Sequence, residues 1–172
     1  LREGTNIRTD SYGGSVEHRM RLLEEVVAAV TAVWPDNRVA VRLSPENQFN
    51  DIRDSQPQLT FNAVAEMLSG YPLAFLHVLE GDMLGGERLV DYRELKRLFG
   101  GLYMANNGYT RDSANRALQK GDADMVAFGR LFIANPDLPE RFARGAVLNE
   151  PDPETFYGGG AAGYTDYPAM DA

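Results

Sequence analysis

The sequence of 172 residues contains no cysteine. This absence excludes disulfide bonds, a thiolate nucleophile and any metal site with cysteine ligands. Only two histidines occur, His18 and His77, and no spacing of His, Asp or Glu is typical of a metal site. Basic residues form no run and the net charge is −8 at pH 7, so nucleic acid is not an expected partner.

Long apolar runs are also missing. No stretch approaches the roughly 20 apolar residues that a membrane helix needs, and the first residues lack the pattern of a signal peptide. We therefore expect no membrane partner and a cytoplasmic location. What the chain does have is 44% hydrophobic residues, enough to form the core of one domain.

Helix and strand patterns alternate four times along the chain. Apolar residues three and four positions apart indicate the helices, with Ser15, Thr60, Asp91 and Thr110 as N-caps, and short apolar runs indicate the strands. The predicted helices cover residues 15–34, 61–69, 91–99, 111–120 and 139–144, and the predicted strands cover residues 38–43, 74–79, 101–105 and 124–128. Strict alternation predicts a parallel sheet. Four units cannot close a barrel, so we expect an α/β fold that supplies half of an eight-stranded (β/α)8 TIM barrel, as one domain over residues 1–172.

Two turns after predicted strands carry glycine. Asn107-Gly108 follows the third strand, and Gly129-Arg130 follows the fourth. Backbone N–H groups at such turns can donate to an anion, and an arginine can grip a phosphate with two parallel hydrogen bonds. In (β/α)8 barrels a phosphate often lies between the loops after the seventh and eighth strands. The alternative interpretation is a pair of ordinary loop glycines with a solvated arginine.

Arg42 lies one residue before the end of the first predicted strand. Inside a barrel a charge is costly unless it lies at the C-terminal mouth, where ligands bind. The position favours contact with a ligand, and a structural ion pair is the alternative. His77 lies in the middle of a strand between Leu76 and Val78, where a satisfied core histidine is expected more often than a catalytic one.

Six strings, in order and over nearly the whole chain, resemble the old yellow enzyme family, FMN-dependent NAD(P)H oxidoreductases on a (β/α)8 barrel. They are RTDSYGGSVEHR (Arg8–Arg19), VAVRLSP (Val39–Pro45), FLHVLE (Phe75–Glu80), NGYT (Asn107–Thr110), VAFGRLFIANPDLPERF (Val126–Phe142) and TFYGGGAAGYTDYP (Thr155–Pro168). The resemblance is strongest to the bacterial branch that reduces activated alkenes, nitrate esters and N-ethylmaleimide.

The resemblance also implies what this chain does not contain. Family members are about twice as long, and Leu1 corresponds to the loop after the fourth barrel strand, so the chain is similar to strands five to eight plus a C-terminal tail. The family's substrate-binding His-x-x-His or His-x-x-Asn pair and its proton-donating tyrosine have no counterpart here, so no catalytic residue is assigned. We expect the N-terminal half of the barrel as a partner, either a separate chain or another segment.

For the flavin, the resemblance implies contacts at both ends of the cofactor. Arg42 matches the arginine beside the N1–C2=O edge of the ring, where a cation stabilises the negative charge of reduced FMN. Asn107 and Gly108 match the turn whose N–H groups bind the phosphate. Bacterial members commonly have glycine at the position of Asn107, and asparagine tolerates positive φ better than most residues, so we expect the turn to keep its shape.

The C-terminal part of the chain supplies the remaining matches. Gly129 and Arg130 correspond to a second phosphate contact. Phe156 and Tyr157 correspond to an aromatic pair near the dimethylbenzene edge of the flavin and the substrate pocket, with Phe156 assigned to the cofactor and Tyr157 to the substrate. Without the resemblance, packing of the tail is the simpler interpretation of both rings.

The resemblance thus implies an FMN-containing ene-reductase with NADPH or NADH as hydride donor and a small-molecule substrate, active only as a complete barrel. Two alternatives stay open. The chain is an inactive half-barrel fragment, or it belongs to a different phosphate-binding TIM-barrel enzyme, such as an aldolase or an isomerase.

Overall fold

The computed structural model describes residues 1–83, 85 and 87–170. Leu84 and Gly86, in the predicted loop after the second strand, and the last two residues of the chain lie outside the described residues. Two compact units are present, Leu1–Ala127 and Phe128–Ala172. The expected single domain over residues 1–172 stays a prediction.

The first unit contains a four-stranded parallel sheet. Its strands are β1 (Val41–Leu43), β2 (Leu76–Leu79), β3 (Tyr103–Asn106) and β4 (Met125–Val126). They lie side by side in chain order, and every pairing is parallel. Sequential order with one helix between successive strands is the arrangement of a (β/α)8 barrel rather than of a doubly wound sheet, whose strand order reverses. The predicted parallel half-barrel is confirmed.

Each strand is preceded by a helix, as predicted. The four helices of this unit are α1 (Val16–Thr31), α2 (Pro57–Ser69), α3 (Tyr92–Phe99) and α4 (Arg111–Lys120). The side chains of Ser15, Asp91 and Thr110 accept backbone hydrogen bonds at the N-termini of α1, α3 and α4. These three predicted caps are confirmed. They could be predicted because a cap depends only on residues within one helical turn.

The core of the first unit lies between the sheet and its helices. On the helix side, α2 contributes Phe61, Val64, Ala65 and Leu68, which are at most 2% exposed. They pack with α3 against every second residue of β1 to β3, among them Val41, Leu76 and Tyr103. Since alternate residues of a strand point to opposite faces, Arg42 and His77 lie on the face away from the helices.

Thr60 is not an N-cap, contrary to the sequence prediction. Helix α2 begins three residues earlier, at Pro57, a residue well suited to the first helical position. Thr60 is therefore inside the helix and 1% exposed, where its hydroxyl accepts a hydrogen bond from the buried guanidinium of Arg19 at 3.1 Å. The same guanidinium also donates to the carbonyls of Leu1 and Gly14, at 2.7 and 2.6 Å, and so ties the polar N-terminal segment to α2.

Other element ends also differ from the prediction. Helix α1 stops at Thr31 instead of Trp34, which is 60% exposed. The strand predicted from Arg38 begins at Val41, and the strand predicted over Asp124–Phe128 covers only Met125–Val126. Single backbone hydrogen bonds to the neighbouring segment continue beyond both bounds, at Val39, Asp124 and Ala127. A strand is defined by its neighbour's hydrogen bonds, which a run of apolar residues does not reveal.

The second unit consists of short helices and the tail. It contains α5 (Arg130–Ala134) and α6 (Leu138–Arg144), followed by a single 3-10 turn over Pro153–Thr155. The buried Arg141 guanidinium holds the tail, because it donates to the carboxylate of Asp137 and to the carbonyls of Val147 and Pro168. Among the described residues, every helix is too short or too polar to span a lipid bilayer.

Removal of the Thr110 hydroxyl is expected to destabilise the fold by about 1 kcal/mol, the usual contribution of an N-cap. The Thr110 hydroxyl accepts from the Ser113 N–H at 3.2 Å, and the Ser113 hydroxyl accepts from the Thr110 N–H at 2.8 Å. Urea unfolding of Thr110→Ala measures the loss, with the exposed Thr9→Ala as the matched control. Equal unfolding free energies in the two variants would contradict a stabilising cap.

Candidate flavin site

The C-terminal ends of three strands meet at one edge of the sheet. β1 ends at Leu43, β2 at Leu79 and β3 at Asn106, and their parallel pairing places the following loops next to one another. Ligands of (β/α)8 barrels bind at this edge because the loops there are free to vary around a rigid sheet. The predicted residues Arg42, Asn107 and Gly108 all lie at or next to it.

Arg42 lies in a row of residues across the sheet face that points away from the helices. Its neighbours in register are His77 on β2, then Met104 on β3 and Met125 on β4. Arg42 is exposed between the buried Val41 and Leu43, and no carboxylate of the described residues forms an ion pair with it. The structural ion pair considered from the sequence is therefore not found in the described part of the chain, and flavin contact stays a prediction.

His77 differs from the satisfied core histidine that the sequence favoured. Its ring is half-buried, and its Nε2 atom has no hydrogen-bond partner within the described residues. Burial, and then the charge of Arg42, lower the pKa of His77 below its usual value. A neutral imidazole beside a guanidinium is the state that these two effects favour.

Substitution Arg42→Ala should raise the pKa of His77, because it removes the neighbouring positive charge that disfavours the imidazolium. A two-dimensional NMR titration measures this, and His18, the only other histidine, is an internal reference for it. An unchanged pKa of His77 would show that the two side chains do not interact.

The turn after β3 has left-handed backbone angles at two successive residues. Asn107 and Gly108 both have positive φ, 121° and 71°, so asparagine does tolerate the conformation that the sequence analysis expected of it. A Cβ atom added to Gly108 would meet nothing within 4 Å, which means that the space beside the turn is open. The hydrogen bonds found at this turn use the carbonyl and carboxamide of Asn107, and none among the described residues uses the N–H of Asn107 or Gly108. These two donors fit a phosphate.

The second predicted phosphate turn belongs to the second unit. Gly129 precedes α5, and its carbonyl accepts from the N–H groups of Phe132 and Ile133 at 2.9 and 3.2 Å, which closes the turn. Arg130 is the first residue of α5, is exposed, and makes no ion pair with the described carboxylates. An unpaired arginine with five donors fits an anionic ligand.

The two aromatic residues of the tail differ in their exposure to solvent. Phe156 follows the 3-10 turn and is half-buried, whereas Tyr157 is 95% exposed. Among the described residues, the Tyr157 ring is therefore not packed against the rest of the tail, as the simpler interpretation would require. Its assignment to the substrate pocket, and that of Phe156 to the flavin, stay predictions.

Residues that the sequence analysis did not single out lie beside the first turn. Glu80 ends the string FLHVLE, and its buried carboxylate accepts hydrogen bonds from Arg88, Tyr103 and Tyr109. One signal in the sequence could have indicated this site, a carboxylate directly after a buried strand. The partners come from a distant strand and from two loops, so no local pattern predicts them. No group of three metal-ligating side chains occurs in residues 1–83, 85 and 87–170.

A parallel half-barrel whose loop ends carry N–H donors without a partner among the described residues is typical of barrel proteins that bind a phosphate-bearing ligand. The family model described as "NADH:flavin oxidoreductase / NADH oxidase family" matches residues 1–149. The chain therefore belongs to this family, that of the old yellow enzymes, whose members are FMN-dependent oxidoreductases.

Individual relatives support the same placement. A probable flavin mononucleotide-dependent alkene reductase of Leishmania infantum is 42% identical, over 99% of this chain and 46% of its own length. Among solved structures, morphinone reductase is 46% identical with a TM-score of 0.92, and the old yellow enzyme from Trypanosoma cruzi is 34% identical with a TM-score of 0.94. Both comparisons cover 99% of this chain and 46% of the other. Morphinone reductase has also been solved in complex with tetrahydroNAD. The chain thus spans about half the length of the relatives it matches.

Proposed function

We propose that this chain is the C-terminal half of an FMN-dependent NAD(P)H oxidoreductase that reduces activated alkenes, such as enones and maleimides, and also nitrate esters or nitro compounds. Beyond membership of the family, the observation that supports it is the open Asn107–Gly108 turn at the C-terminal end of β3, with two unused N–H donors. We place this enzyme in the cytoplasm, acting on small molecules.

The described residues would contribute to binding and orientation. When bound, FMN supplies the hydride transfer between NAD(P)H and an electron-poor double bond. Asn107 and Gly108 would donate backbone hydrogen bonds to the phosphate, and Gly129 with Arg130 would form the second phosphate contact. Arg42 would place a positive charge beside the ring.

The aromatic residues of the tail complete the proposed site. Phe156 would lie near the flavin and Tyr157 near the substrate. The groups that bind the substrate's electron-withdrawing part and donate a proton would come from the N-terminal half of the barrel. The chain by itself is therefore proposed to be inactive, and that half is proposed as its partner.

Exposed apolar side chains and unpaired strand edges support the proposal that an N-terminal half-barrel binds this chain. On α1, Leu22 and Val26 are 61% and 50% exposed, four residues apart and so on one helix face. In the described sheet β1 and β4 are the outer strands, each paired on one side only. Edge strands pair readily with another chain, and a second half-barrel would cover both features.

The flavin spectrum of the complete protein tests the proposal. This chain, joined to or mixed with an N-terminal half of the family, should purify with the absorbance of bound flavin, and NADPH or NADH should bleach it. A complex that is colourless and indifferent to added FMN would favour a different phosphate-binding barrel. A well-folded 19 kDa monomer of this chain that binds no N-terminal half would contradict the half-barrel proposal.

A further inference from the structure

Glu80 is a buried carboxylate that the proposed flavin contacts do not use. Its side chain is 5% exposed. Oε1 accepts from the Tyr103 hydroxyl at 3.0 Å, and Oε2 accepts from the Tyr109 hydroxyl and from Nη1 of Arg88, both at 2.7 Å. A buried charge is costly unless it is paired and hydrogen-bonded, and three donors satisfy this one.

The protonation states of this cluster favour the same arrangement. Burial, and then the charge of Glu80, raise the pKa of Tyr109 to about 12, so its hydroxyl keeps its proton at neutral pH and donates it. Burial is the largest effect on Glu80 and raises its pKa overall, while the hydrogen bond from Tyr109 and the charge of Arg88 act in the opposite direction.

Arg88 connects this carboxylate to the phosphate turn. Nη1 donates to Glu80, and Nη2 donates to the carbonyl oxygen of Asn107 at 2.8 Å. The guanidinium also lies over the ring of Tyr109, 5.4 Å from its centroid. The guanidinium presents these two donors in a rigid planar fork, whereas a lysine ammonium is a point charge on a flexible stem and would not fix the same geometry.

The turn is fixed on both sides by such contacts. The carboxamide of Asn107 donates to the carbonyl of Asp82 at 2.9 Å, and Tyr109, the residue after Gly108, is held by Glu80. Positive φ at a residue other than glycine persists only where the surroundings impose it. All these contacts use side chains and a carbonyl, so they fix the turn and leave its N–H groups available.

We propose that Arg88, itself held by Glu80, is a positioning residue that sets the Asn107–Gly108 turn for binding of the flavin phosphate. This inference rests on the proposed function, since it takes the ligand of the turn to be FMN. Arg88 acts through the Asn107 carbonyl, because its two outer nitrogens are already committed to Asn107 and Glu80.

The test compares two ligands that differ only in the phosphate. Dissociation constants of FMN and riboflavin are measured for the complete protein and its Arg88→Met variant, in which a side chain of similar length keeps the packing on Tyr109. We expect FMN to bind about two- to tenfold more weakly, the range for one net hydrogen bond, and riboflavin to bind as before. The affinity ratio of FMN to riboflavin therefore falls.

Two further variants separate positioning from stability. Arg88→Lys keeps the charge and loses the fork, so its affinity ratio should also fall. Tyr103→Phe removes a hydrogen bond from the other oxygen of Glu80, so it should lower the unfolding temperature and leave the ratio unchanged.

Each alternative result has one meaning. The positioning role is overturned if Arg88→Met weakens FMN and riboflavin binding equally, or if the affinity ratio of FMN to riboflavin is unchanged in Arg88→Met or Arg88→Lys. A lowered affinity ratio in Tyr103→Phe would also overturn it. If the parent protein binds riboflavin as tightly as FMN, the assignment of this turn as a phosphate site is wrong. That result is a failure of the proposed function, and it is seen before any variant is measured.

Discussion

Substitution Arg130→Ala is expected to weaken FMN binding by roughly tenfold to a hundredfold in the complete protein. A charge-assisted hydrogen bond contributes on the order of 1.5–3 kcal/mol, which corresponds to that range of affinity. Arg130 is exposed and makes no ion pair with the described carboxylates, so the fold should lose little stability when the guanidinium is removed. Fluorescence titration with FMN measures the affinity, and thermal unfolding checks the fold.

The matched control for this prediction is another exposed arginine of the second unit. Arg144 pairs with Glu140 on α6 at 2.6 Å, so Arg144→Ala removes a surface ion pair of small energetic value and no proposed flavin contact. Its FMN affinity should equal that of the parent. Riboflavin should bind both variants as it binds the parent. FMN affinity unchanged by Arg130→Ala would remove the phosphate role of this arginine.

Parts of the fold that depend on neighbours in sequence could be predicted in detail. Helix α4 has its predicted bounds, Arg111–Lys120, with Thr110 as N-cap and Gly121 at φ 72° as the C-terminal glycine. The hydroxyl, the helix and the glycine act within one or two turns of each other, so the sequence contains all the necessary information.

Contacts between distant segments could not be predicted from the sequence. Thr60 looked like an N-cap because a small polar residue precedes an apolar stripe, yet its hydroxyl is used by Arg19, 41 residues away in the chain. Glu80 and Tyr109 are 29 residues apart, and Arg88 reaches Glu80 from a third segment of the chain. Local periodicity has no access to such pairings, so the cluster beside the phosphate turn emerged only from the structure.

The two arginines of the proposed site should differ in what they control. A phosphate carries the same charge in both redox states of the flavin, so an arginine that binds it, as proposed for Arg130, would stabilise both states equally and would not shift the equilibrium between them. Arg42 would lie against the ring, where reduction adds negative charge, and its guanidinium has no ion-pair partner among the described residues to neutralise it. Only an interaction that differs between two states changes their balance.

Substitution Arg42→Ala is therefore expected to lower the reduction potential of the bound flavin and to slow its reduction by NAD(P)H. A differential interaction of about 1–3 kcal/mol, plausible for a charge-assisted hydrogen bond, corresponds to roughly 20–65 mV for a two-electron couple. A redox titration against a reference dye measures the shift, with Arg130→Ala and the exposed Arg38→Ala as controls whose potentials should match the parent. If Arg42→Ala has the potential of the parent, Arg42 does not contact the ring.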